Sequence, residues 1–98
     1  MKAKVEAVRK ALLERGTALP AETRRAALER GALAPELAAY VDKVESNAAG
    51  LRDEDVARLK EAGLDEEQIF ELTLAAALGA GLRRMEAALA ALAAEKAR

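Results

Sequence analysis

A chain of 98 residues with 34% charged side chains and a net charge of −1 makes one domain, without the global field that recruits nucleic acid or an anionic membrane. It has neither cysteine nor histidine, which excludes disulfides, thiol redox chemistry, thiolate zinc sites and a histidine general base. The apolar fraction is 52%, but 26 residues are alanine and 15 are leucine, so burial at roughly 25 cal/mol per Å² leaves a thin core that association would supplement.

Divided at Gly50, the halves carry +2 and −3, too small an asymmetry for a basic arm or an acidic tail. "MKAKVEAVRKALLERG" has charges throughout in place of a hydrophobic signal core. The most apolar run, Leu72 to Leu82, falls far short of the roughly 20 residues a membrane helix needs. These features predict a cytoplasmic protein, and the single Asn, single Gln and high charge fit a heat-adapted source.

Glycines at 16, 31, 50 and 63 each follow a helix-periodic segment, as C-terminal capping glycines do, and divide the chain into five expected helices. The first covers Lys2 to Arg15, with Val5, Val8, Leu12 and Leu13 on one side. The second starts near Pro20, a first-turn residue, and ends at Gly31. The third opens with Pro35 and carries Leu37, Tyr40, Val41 and Val44 on one stripe. A short fourth covers "DEDVARLKEAG", capped by Asp53, with Val56 and Leu59 facing inward.

Asp65 caps the last helix and forms a capping box with Gln68. No breaker other than Gly79 and Gly81 follows, so this helix runs for about 30 residues, roughly 45 Å. Phe70, Leu74, Leu78, Met85, Leu89 and Leu92 recur along it as an apolar stripe. Beside them, Ala75 with Gly79 and Ala76 with Ala80 are small residues four apart, while Ala77 and Gly81 interleave with the large stripe. Gly79 and Gly81 cost about 1 kcal/mol each inside a helix relative to alanine, and small residues at this spacing admit a second helix backbone. A helix-packing interface over Leu74, Leu78, Gly79, Gly81, Leu82 and Met85 is therefore expected, within or between subunits.

Residues Leu59 to Leu72 have the outline of a helix-turn-helix, but the positions that would meet DNA are Asp65, Glu66, Glu67, Gln68 and Glu71, and carboxylates there repel phosphate. Two packed helices are the better reading. The acidic clusters Asp53-Glu54-Asp55 and Asp65-Glu66-Glu67 have the chemistry of hard-metal ligands or an acid–base pair. Both lie at helix starts, where carboxylates cap free N–H groups and complement the dipole, so no metal, cofactor or catalytic residue is assigned to them. Arg83-Arg84 invites an anion or a local partner such as Glu71 or Glu86. Tyr40, Glu71, Arg83 and Arg84 are the candidates for a polar pocket between helices.

The segment from Tyr40 to Leu92 resembles the AhpD-like superfamily (carboxymuconolactone decarboxylase, alkylhydroperoxidase D). Its members show a similar D-E-D-V-x-x-L-x-x-A-G-L element, an acidic turn and a long apolar helix ending near an arginine. Before Tyr40 the likeness is limited to "ALPAETRRAALERG" and "PELAAYV". The resemblance implies a single all-α AhpD-like domain over residues 1–98 and assembly as dimers, trimers or hexamers. The family's peroxidase branch uses a C-x-x-C pair with His and Glu, and its decarboxylase branch uses histidine. This chain carries none of those cysteines or histidines, so neither activity transfers. The expected function is a non-enzymatic, self-associating helical protein without a cofactor; the alternative is a small-molecule binder or cofactor-free enzyme using the interhelical pocket.

Overall fold

In a computed structural model that describes residues 18–97, the protein is all-α. Among the described residues four α-helices follow one another: α1 (Ala21–Glu29), α2 (Pro35–Asn47), α3 (Asp53–Glu61) and α4 (Glu66–Lys96). A 3₁₀ turn over Ala48–Gly50 tightens the end of α2. The expected helix over Lys2 to Arg15 lies outside the described residues. Helix α4 has 31 residues, about 46 Å at 1.5 Å per residue, and the other three pack along its first half, α1 most extensively.

Each boundary has a local cause. Pro20 is the residue before α1, one position earlier than expected, and its carbonyl accepts from Thr23 N–H at 3.0 Å. Pro35 is at the first turn of α2, where its missing N–H costs nothing. Asp53 does not cap α3: Arg52 is the capping residue, and its N–H donates to the Asp55 carboxylate at 2.8 Å. At α4 the expected box is present in both directions, Gln68 N–H to Asp65 Oδ1 and Asp65 N–H to Gln68 Oε1, each 2.9 Å.

The glycine punctuation has mixed outcomes. Gly63 does close α3 in the left-handed region, with φ +102°, and Leu64 N–H returns to the Leu59 carbonyl at 3.1 Å. At the end of α1 the left-handed residue is Arg30, φ 58°, not Gly31. That conformation costs a side-chain-bearing residue about 1 kcal/mol or more. Arg30 offsets it by reaching α2, where its guanidinium donates to Asp42 at 2.7 Å and to Glu45.

The core is thin and built of leucine, alanine and valine. Leu59 and Leu72 are its largest fully buried side chains, joined by Leu19, Ala27, Tyr40, Val41, Val44 and Ile69. Helix α4 contributes Ile69, Leu72, Ala75, Ala76, Gly79 and Ala80 to it. The buried face of α4 is the small-residue one. The large stripe lies on the opposite side, with Phe70 at 67%, Leu74 at 44%, Leu89 at 44% and Leu92 at 55% exposure. Alanines at 75, 76 and 80 are buried because α1 and α2 lie close against them, and the larger side chains are left outside.

Candidate functional site

Two features on α4 hold the unusual chemistry of this chain: the notch where α1 ends on it, and the apolar face pointing away from the other helices.

The notch is made by Gly79. A Cβ built there would overlap the Leu28 carbonyl oxygen and lie 2.9 Å from the carbonyl carbon. The last turn of a helix leaves carbonyls without intrahelical donors, and Leu28 is in the last turn of α1. One turn further along α4, Arg83 donates to that same oxygen at 2.8 Å. Gly79 and Arg83 therefore form a receptor for the C-terminal end of α1, one supplying room and the other a cationic donor that complements the negative end of the dipole. The close approach expected at Gly79 is thus a contact inside the chain. Gly81 differs: among the described residues, nothing lies within 4 Å of a Cβ built on it.

Around the notch, Arg83 Nε donates to Glu45 at 3.3 Å, and Arg84 donates to the Glu45 backbone carbonyl. Arg30 donates to Asp42 and to the Glu45 carboxylate. The hydrogen bond from Arg30, reinforced by Arg83, holds the Glu45 carboxyl below the ordinary carboxylate range. All three guanidinium groups are occupied by groups of the chain itself. The Arg83-Arg84 pair finds Glu45 on α2, rather than Glu71 or Glu86 on its own helix.

Glu71 serves a different place. It accepts Ala18 N–H at 2.8 Å and Leu19 N–H at 3.1 Å, and the buried Arg24 guanidinium lies 4.0 Å away. Gln68 adds a bond from its amide to the Ala18 carbonyl at 3.2 Å. The first turns of α4 thereby fix the entry of the chain into α1.

Tyr40 lies elsewhere again, its hydroxyl 2.7 Å from Thr73 Oγ1, which itself donates to the Ile69 carbonyl at 2.7 Å. The Thr73 proton is committed to that carbonyl, so Tyr40 is the donor. The four expected pocket residues are therefore divided among three environments. A cavity of about 430 Å³ between α2 and α3 takes only Tyr40 of the four, and another of about 390 Å³ at the head of α4 takes only Glu71. In the first cavity Asp55 pairs with Lys43 at 2.9 Å and with Arg58 at 3.9 Å. The Lys43 hydrogen bond, followed by that from the Arg52 N–H, keeps Asp55 below the ordinary carboxylate range. The acidic clusters thus cap helices and bind cationic side chains of the same chain. No group of three or more acidic residues among those described could hold a metal ion.

The other feature is the outer face of α4. Leu74 and Gly81 of the expected interface are exposed on it, and Leu78, Leu82 and Met85 are half-buried at its edges. From Glu86 onward every described residue of the helix is exposed. At 100° per residue, Phe70, Leu74, Gly81, Met85, Ala88 and Leu92 fall within one narrow sector opposite Leu72, Ala76 and Gly79. The helix is apolar on two opposite sides, and only one of them is covered by α1, α2 and α3. Among the described residues, no helix is long and apolar enough to cross a membrane. Arg30 and Glu45 had no signal in the sequence, because their partners lie 12 to 39 positions away; Arg24, which donates to the Leu19 carbonyl five positions back, was also missed.

Compared with known protein families, characterised proteins and solved structures, the chain has no match.

Proposed function

We propose that this chain is a small, non-enzymatic interaction protein that associates with itself through the outer face of α4. The observation that carries the reading is an apolar stripe, Phe70 to Leu92, on the side of α4 turned away from the core. Monomeric proteins rarely leave a long contiguous apolar strip in water, and a helix apolar on two sides is stable when both are covered. The all-helical architecture and long terminal helix fit the AhpD-like resemblance, whose members assemble through helices. The residues that carry chemistry in that family are missing here, which favours assembly without catalysis. Charge balance and the acidic start of α4 favour a protein partner over nucleic acid, and composition favours the cytoplasm of a heat-adapted cell.

Light scattering on a gel-filtration column tests the reading. An oligomer at tens of micromolar is expected, converted to monomer by Leu74→Glu with helicity retained. A monomeric parent protein at that concentration would sink it.

A further inference from the structure

The outer stripe of α4 has a symmetry that specifies how two copies would meet. Gly81 lies eleven residues after Phe70 and eleven before Leu92, the two most exposed large apolar side chains on the helix. Leu74 and Ala88 are likewise seven residues to either side. Reversing the helix about Gly81 therefore lays the stripe onto itself: Phe70 opposite Leu92, and Leu74 opposite Ala88 with Leu89 adjacent. The midpoint carries no side chain, and the space outside it holds no described atom within 4 Å, so two backbones can approach most closely there.

Charge selects the direction. The first turn of α4 carries Glu66 and Glu67, while in its last turn Lys96 balances Glu95. A parallel pair stacks the acidic turns on each other and aligns the helix dipoles. An antiparallel pair sets each acidic turn beside the uncharged-on-balance end of the other helix, with Glu66 opposite Lys96, and opposes the dipoles. The stripe is about 33 Å long and one helix diameter wide, so two protomers together would bury on the order of 1,000 Å², the threshold for a specific contact.

We propose that two copies of this chain pair antiparallel along α4, with the two-fold axis passing through Gly81 of both. The contact is isologous: one surface patch on each protomer, complementary to itself. This arrangement rests on the self-association reading above and adds to it the partner face, the direction and the register.

The absence of cysteine makes the test clean, since any introduced thiol is the only one in its chain. Single-cysteine variants are oxidised with copper–phenanthroline and run on non-reducing gels, with helicity checked by circular dichroism. Gly81→Cys is expected to give a covalent dimer. Phe70→Cys alone is expected to stay monomeric on the gel, while an equimolar mixture with Leu92→Cys cross-links. Leu74→Cys mixed with Ala88→Cys gives a second pair at the same register, should Gly81→Cys perturb the crossing. Cross-linking of Phe70→Cys to itself would overturn the antiparallel direction. A parent protein that is oligomeric by light scattering while neither Gly81→Cys nor either mixed pair cross-links would overturn this face and register, leaving self-association standing. A monomeric parent would remove both.

Discussion

Gly79 and Gly81 are two positions apart on one helix and occupy opposite worlds. At Gly79 the missing side chain makes room for the Leu28 carbonyl, so its helix-propensity cost is offset inside the fold. At Gly81 nothing in the described structure uses the room. The same contrast extends along the whole of α4. Its inner face is made of alanine, glycine and two large side chains because other helices press on it; its outer face keeps the larger apolar residues with nothing described over them. A helix sequence that is apolar all round does not say which side the fold will take.

Substitutions in pairs break or sharpen this comparison. The largest effect is expected from Gly79→Leu. Its side chain would collide with α1 backbone, which cannot rotate away as a side chain can, so the loss should reach about 3 kcal/mol or more. Gly81→Leu should leave monomer stability within about 1 kcal/mol of the parent, urea melts at low protein concentration being the measurement. Equal losses at both positions would erase the distinction.

Next come Leu72→Ala and Leu74→Ala. Leu72 is fully buried, and its truncation should cost about 2–5 kcal/mol through lost transfer energy and the cavity left behind. Leu74 is 44% exposed, and its truncation should cost the monomer under about 0.5 kcal/mol. Its effect should appear instead in the oligomer, as a dissociation constant that rises while the monomer's melting curve stays put.

Arg83→Met removes the donor to the Leu28 carbonyl and one partner of Glu45 while keeping the aliphatic stem. A loss of about 1–2 kcal/mol is expected. Hydrogen exchange should show the end of α1 opening faster than in the parent, because the bond to the Leu28 carbonyl holds it against α4.

The smallest effect is acid sensitivity. Glu45 and Asp55 are both held below their ordinary values, so the folded state binds fewer protons than the unfolded one as pH falls. Their contribution is complete at neutral pH, begins to fall near the unfolded carboxylate values of about 4, and is gone below the folded values. Melting temperature should therefore be flat from pH 7 to 5 and decline below that. Glu45→Gln should make the decline shallower.

Much of the fold was legible in the residues. Pro35, the Asp65–Gln68 box and Gly63 are local devices whose partners lie within a few positions, so spacing alone places them. The errors arose where a local signal had a competitor. Gly31 was expected to take the left-handed position, but Arg30 takes it, with two acidic partners on α2 outside the reach of local reasoning. Asp53 was expected to cap α3, but Asp55, two residues on, accepts the N-terminal N–H while also binding Lys43. The candidate site was legible as a list of residues and not as an arrangement: Tyr40, Glu71, Arg83 and Arg84 were expected around one pocket and serve three separate contacts.

The sequence by itself determined the all-α class, the length and capping of α4, the thinness of the core and the absence of thiol and imidazole chemistry. Each follows from composition or from interactions spanning a few residues. Only the tertiary structure decided which side of α4 is inside. Periodicity reports that a helix has apolar faces, but the choice between them depends on how closely another backbone can approach. Here the answer lies at Gly79, where the end of α1 fits against a residue with no side chain and large apolar groups are left to face outward.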